Sequence, residues 1–134
     1  MSQEEEDNAE LLRPRLYHLK RFSLEKGYGF NLRKEASDLY AIVENIEENS
    51  PAHRAGLRRG DILIEVNYYS VVGESLKDII KLVRYGLEID NDKIIEHEVV
   101  LLVVDEATYD YYNKFNIKLN SMINNLIKIE ILTN

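Results

Sequence analysis

Apolar and polar positions change period several times along this chain, and each change marks an element. Between Arg15 and Arg21, Tyr17, His18 and Leu19 suit a pleated strand, although Leu16 and Leu19 do not alternate strictly. Gly27 to Arg33 reads as a loop entering a second strand, with Phe30 and Leu32 on one face and Asn31 on the other. Leu39 to Ile46, rich in Ile and Val, predicts a third strand. Ser50 before Pro51 is a helix start, because Ser can cap free N–H groups and Pro is tolerated in the first turn; Gly56 ends that short helix. Asp61 to Val66 predicts a mostly buried strand followed by a turn at Asn67-Tyr68-Tyr69-Ser70. Asn tolerates the left-handed conformation but Tyr68 would be strained in it, so a turn of a type other than the Asn-Gly hairpin is expected. From Glu74 to Tyr85, Leu76, Ile79, Ile80 and Val83 fall at i, i+3, i+4 and i+7, which predicts an amphipathic helix. Gly86 to Glu98 is polar and predicts a long connection with its tip at Asp90-Asn91-Asp92-Lys93. Val99 to Val104 is a continuous apolar run, the mark of a central strand. After it Asp105 can cap a helix in which Tyr112, Phe115, Leu119, Met122, Leu126 and Ile129 recur at spacings of three and four. Ile127 to Ile131 also fits a strand template, and the pattern does not decide between the two.

Size and composition narrow the class. A chain of 134 residues supports one core, and a domain of that length buries roughly two thirds of the surface its unfolded chain exposes. There are no cysteines, and His18, His53 and His97 are scattered without ligand spacing, so neither a metal site nor a cofactor is expected. No Ser-His-Asp set can be assembled and there is no room for a protease fold, so no enzymatic activity is expected. The net charge of −7 is uneven: residues 1–12 carry 0 basic and 5 acidic groups, 13–60 carry 10 and 6, and 61–134 carry 7 and 13. A basic stretch flanked by acids reads as a mixed, solvated surface rather than a nucleic-acid footprint. Residues 1–13 are expected to be an acidic disordered lead-in, 14–105 the domain, and 106–134 an amphipathic extension. Neither a signal peptide nor a run of ~20 apolar residues is present, which predicts a soluble, intracellular protein.

Two motifs carry the chemistry. In Gly27-Tyr28-Gly29-Phe30-Asn31-Leu32 the glycines allow successive N–H groups to turn toward one point and cradle an anion. Further on, Ser50-Pro51-Ala52, Ala55-Gly56-Leu57, Glu65-Val66-Asn67 and Leu101-Leu102-Val103-Val104-Asp105 form a scaffold. Together they resemble a PDZ domain, most like those of the sodium-hydrogen exchanger regulatory factor scaffolds, over roughly Pro14 to Asn116. Even Val104 to Thr108 and the aromatic positions after it resemble the helical extension of that group. The resemblance implies an α+β fold: a PDZ-like, partly open β-barrel or sandwich of five to six mostly antiparallel strands capped by two helices, with an extra C-terminal helical segment.

It also implies a receptor for free C-termini of transporters, channels or receptors, which add as an extra strand between the second strand and the second long helix. Carried over by position, Gly27, Tyr28, Gly29 and Phe30 form the carboxylate-binding loop, helped through water by Lys20, Arg21 or Lys26. Tyr28, Phe30, Leu32, Ile80 and Val83 line the pocket for the ligand's last side chain. Asn31, Glu44, Leu76 and Ile79 tune specificity. Where relatives carry a His that bonds a Ser or Thr two places before the ligand end, this chain has Leu76, with Ser75 and Lys77 on either side; Leu offers neither donor nor acceptor, so an apolar ligand residue is expected there. Glu44 should favour Lys or Arg upstream. Further departures from the family are Tyr68 and the long Gly86 to Glu98 segment. The implied setting is cytoplasmic, at the inner face of the plasma membrane, with peripheral association through partners. Phosphoinositide binding by the basic stretch, the sensor domain of a protease, and self-association through residues 106–134 are the other readings.

Overall fold

A computed structural model of the chain describes residues 12–23, 26–90, 93–123 and 125–130, and the longest apolar run of the sequence is the strand around which it is built. β8, Glu98–Val104, pairs antiparallel on one side with β1, Arg15–Lys20, and on the other with β4, Ile62–Val66. Beyond β4 come β3, Ala41–Ile46, and β2, Phe30–Arg33; beyond β1 comes β9, Ile127–Glu130, running parallel to it. The two-residue β5, Tyr69–Ser70, pairs with β4 and completes a seven-stranded sheet whose ends, β2 and β9, do not meet. The fold is the mixed α/β arrangement expected, with short strands raising the count.

β8 is apolar throughout because both its faces are covered. Val99, Leu101 and Val103 point into one cluster with Tyr17, Leu19, Val43, Leu63 and Val66, while Val100, Leu102 and Val104 join Leu16, Ile64, Leu87 and Leu126 in another. Among the described residues three helices lie against this sheet: α1, Pro51–Ala55, α2, Leu76–Tyr85, and α3, Glu106–Lys114. Each starts on a capping side chain, Ser50, Ser75 or Asp105, that accepts a backbone N–H three residues on. Beneath α1 the buried Arg15 guanidinium is paired with Asp61 and donates to the Tyr17 hydroxyl at 2.6 Å. Burial would lower the Arg15 pKa, but the Asp61 carboxylate outweighs it and holds the guanidinium charged.

Three segments differ from the sequence expectation. The Gly86 to Glu98 connection is not all loop: β6, Leu87–Ile89, and β7, Lys93–Ile95, pair as a small separate hairpin, and Asn91-Asp92 of the expected tip lie outside the described residues. The turn after β4 does place both central residues in the left-handed region, Asn67 at φ 52 and Tyr68 at φ 69, the signature of a type I′ hairpin turn. Tyr68 bears that strain, ~1–2 kcal/mol, because buried Asn67 fixes the turn: its side chain accepts from Val100 N at 2.8 Å and donates to Gly86 O at 3.0 Å.

Finally, the helix expected to run on to Ile129 stops at Lys114, and the strand template proves right for the end: Ile127–Glu130 is β9. Met122, which the helical stripe would bury, is 85% exposed. Residues 117–123 and 125–130 fold back on the sheet. Arg13 holds the carbonyls of Asn125 and Leu126 at 2.8 and 3.0 Å, Ile127 N bonds Pro14 O, and His18 lies between Glu98 at 2.5 Å and Glu130 at 3.6 Å. The expected lead-in falls almost wholly on residues 1–11, outside the described residues, as does Ile131.

Candidate functional site

β2 is a border strand, and α2 lies beside it with a cleft of about 230 Å³ between them. Its walls are Tyr28, Phe30 and Leu32 from the loop and β2, and Ile80 and Val83 from α2, with Arg21, Gly27, Asn31 and Arg84 at the margins. All five expected pocket residues are therefore brought together. Helical geometry explains the α2 pair: Ile80 and Val83 turn to the cleft, while Ile79, one step round, is buried in the core at 1% exposure. Ile79 is thus a correction, a packing residue outside the cleft. Leu76 is the half-buried first residue of α2, and the Ser75 hydroxyl beside it is committed to Asp78 N as the cap.

The loop before β2 is held from behind. Tyr28 O accepts from Ala52 N at 3.0 Å and Gly29 O from Glu47 N at 2.7 Å, so α1 and the end of β3 fix two consecutive carbonyls. Among the described residues the N–H groups of Tyr28 and Gly29 make no hydrogen bond. Because Gly29 bonds Glu47, the next antiparallel pair, Phe30 and Ile46, is of the non-bonded kind, and the Phe30 N–H is directed away from β3. Three consecutive donors are thus left without partners among the described residues at the mouth of the cleft. Gly29 is indispensable to this shape. It sits at φ 91, and a Cβ there would lie 1.9 Å from the Ser50 Cβ. Gly27 has only Gly29 N, at 4.0 Å, near its missing Cβ.

Arg21 was one of three cations near the loop, and its position distinguishes it. It is 8% exposed, with its guanidinium 5.1 Å above the Tyr28 ring and donating to Glu96 O at 2.9 Å. No carboxylate pairs with it among the described residues, and its Nε has no partner. The Tyr28 hydroxyl is likewise buried and unbonded; burial pushes its pKa up to about 12, Arg21 opposing and Glu98 adding to the rise. Lys26 instead faces a different hollow, with Phe22 and Glu47. Sequence reasoning could not separate these cations because what fixes Arg21 is a bond to Glu96 O, 75 residues away in the chain.

Asn31 lies at the cleft margin, but its side-chain oxygen accepts from Asn45 N at 2.9 Å. That bond bridges a bulge in the β2/β3 ladder, where the register passes from Asn31↔Asn45 to Leu32↔Val43 and leaves Glu44 as the extra residue. Glu44 is half-buried and does not line the cleft. The described residues contain no group of three His, Asp or Glu able to hold a metal, and no described helix is long and apolar enough to cross a membrane.

Comparison with known proteins gives a coherent result. The family described as PDZ domain matches residues 42–88. The chain is 40% identical over 99 residues to the Na(+)/H(+) exchange regulatory cofactor NHE-RF2 of Oryctolagus cuniculus, covering 74% of this chain and 28% of that protein. It is 39% identical over 106 residues to NHE-RF2 of Mus musculus, covering 79% and 28%. With the cofactor NHE-RF1 of Gallus gallus it shares 36% over 103 residues, covering 77% and 28%. The chain thus matches little more than a quarter of the length of these relatives.

Proposed function

This chain belongs to the PDZ-domain family, and from that premise we propose that its β2/α2 cleft captures the free C-terminus of partner proteins, in the service of a scaffold. The observation that supports the reading is the row of three N–H groups, on Tyr28, Gly29 and Phe30, that have no partner among the described residues and lie beside an apolar cleft. A terminal carboxylate supplies the acceptors these donors lack, and each charge-assisted bond contributes roughly 1.5–3 kcal/mol. Arg21, buried and without a carboxylate partner among the described residues, adds a positive field to the same end of the cleft. The ligand's last side chain enters between Phe30, Ile80 and Val83, and its backbone extends the sheet along the free border of β2. Residues 14–105 are then the binding module and 106–134 its extension.

Specificity follows from two residues outside the cleft lining, Leu76 at the start of α2 and Glu44 at the β2/β3 bulge. Leu76 gives a buried hydroxyl no partner, at a cost of ~1–3 kcal/mol, so an apolar residue is preferred two positions before the ligand end. Glu44, the extra residue of that bulge, favours Lys or Arg further upstream. The natural partners are membrane transporters, channels or receptors, which would place the protein at the inner face of the plasma membrane. Within the basic stretch Arg15 and Arg21 are buried on internal partners, whereas Lys26, Arg33, Arg54, Arg58 and Arg59 are exposed; steeply salt-dependent vesicle binding that survives loss of the cleft would favour phosphoinositide binding instead.

The test is a C-terminal peptide library in which each member is also made as the amide. Free acids should bind at micromolar affinity, about −8 kcal/mol, and the amides at least tenfold more weakly. Equal binding of the two forms would remove the carboxylate from the reading.

A further inference from the structure

The side of α2 opposite the ligand cleft borders a second and larger hollow, of about 510 Å³, between the helix and the β4–β5 hairpin. Val71 and Ile79, each 1% exposed, line it within, and Leu82 adds a third apolar wall. Tyr69 and Tyr85, 57% and 54% exposed, flank it. Glu74, Asp78 and Lys81 are also on its lining, and among the described residues none of these three charges has an ion-pair partner. The hollow therefore combines a greasy interior, two rings open to solvent and an excess of free carboxylate.

The turn beside it is costly. Asn67 ties the hairpin to Gly86, the residue after Tyr85, and so brings Tyr68 to the same region. Tyr68 occupies a left-handed position that glycine would occupy without strain, and the residue is 56% exposed. A strained, solvated aromatic residue contributes nothing to the core, and such residues concentrate where proteins bind.

We propose that this hollow is a second docking site, for a cationic internal segment of a partner protein. An apolar side chain of that segment enters between Tyr69 and Tyr85 over Val71 and Leu82, and an adjacent Arg or Lys meets Glu74 and Asp78, its charge also stabilised over a tyrosine ring. The site needs no free terminus, and it lies on a helix whose other side faces the C-terminal ligand. One domain can then hold two partner segments at once.

The probe is an acetylated and amidated peptide of alternating leucine and arginine, titrated into the ¹⁵N-labelled full chain, with a leucine–glutamate peptide as control. Saturable amide shifts are expected at Val71, Glu74, Asp78 and Leu82 with the arginine peptide alone. Tyr69→Ser with Tyr85→Ser, and separately Glu74→Lys with Asp78→Lys, should each weaken it at least tenfold while leaving capture of a free-acid peptide at β2 unchanged. Tyr68→Gly should raise the melting temperature and weaken the arginine peptide. The proposal is overturned by equal binding of the glutamate peptide, by shifts that map to Phe30 and Ile80 instead, or by variants that bind like the parent. Shifts at these residues that track protein concentration without peptide would assign the hollow to a second copy of the chain and overturn it too.

Discussion

Replacing Gly29 by alanine separates the two glycines of the loop, which look equivalent in the sequence. At φ 91 an alanine is strained by ~1–2 kcal/mol. Its Cβ would also lie 1.9 Å from the Ser50 Cβ and 2.1 Å from the Ser50 Oγ, far inside contact distance, so the loop or α1 must move. Either movement weakens the bonds Glu47 N to Gly29 O and Ala52 N to Tyr28 O, and the Ser50 cap on His53 N, each contributing about 1 kcal/mol. The sum is roughly 3–5 kcal/mol of stability, together with loss of peptide capture because the three N–H groups no longer converge. Gly27→Ala, with no positive φ and no contact nearer than 4.0 Å, should cost under about 1 kcal/mol. Urea titration followed by circular dichroism measures the stabilities, and fluorescence anisotropy with a labelled free-acid peptide measures capture. Ser50→Gly removes the clashing atoms at the expense of a cap side chain, so in the Gly29→Ala background it should restore about half the loss, a coupling of at least 1 kcal/mol by double-mutant cycle. Equal effects at Gly27 and Gly29, or strict additivity of Gly29→Ala and Ser50→Gly, would refute the packing argument.

Further outcomes are expected. Leu76→His should move the ligand preference two positions from the end toward Ser and Thr, read from the same peptide library; an unchanged preference would detach specificity from the first residue of α2. Deleting residues 117–134 removes β9 and buried Leu126, worth ~1.5–3 kcal/mol, so the melting temperature should fall by roughly 5 °C or more while the mass in solution stays that of one chain. A fall in mass on deletion would mean that the extension joins two chains. The cap of α3 is sensitive to acid: burial would raise the Asp105 pKa, but bonds from the Thr108 hydroxyl and backbone N–H more than offset it, and the carboxyl is held below its ordinary value. A lowered folded-state pKa gives stability that is present above about pH 4 and lost as pH falls through the folded value. Asp105→Ala should therefore cost about 1 kcal/mol at neutral pH, and the difference from the parent should shrink below pH 4; a difference constant with pH would remove the charge from the cap.

Much of the fold was legible because local chemistry and periodicity agreed. Ser50-Pro51 and Gly56 bound a helix as capping rules require, and the spacing of Leu76, Ile79, Ile80 and Val83 gave the inner side of α2. The same spacing could not say which of those residues faces core and which faces cleft, since both environments are apolar; Ile79 shows the cost. The apolar run Val99–Val104 held unused information: six consecutive buried residues need cover on both faces of the strand, and the segment after residue 105 supplies part of it through Leu119, Ile123 and Leu126. Its helical stripe misled because Met122 and Phe115 fit a period of 3.6 without being buried together, whereas Leu126 and the pairing of Ile127–Glu130 with β1 decide the outcome through contacts more than a hundred residues apart. Asn67-Tyr68 was misjudged for a similar reason, since the bonds that hold the turn come from Val100 and Gly86.

The pairing of β9 with β1 also has a mechanical meaning. The border that would receive a captured tail, β2, and the border made by β1 and β9 lie at opposite limits of the sheet. Tension applied between a bound tail and the chain beyond residue 130 must cross every intervening ladder, β3, β4, β8 and β1, before it reaches the far anchor. The domain would then bear load through its whole width rather than through one seam, and the first connection to part under pulling would be the short β1–β9 seam or the tail itself.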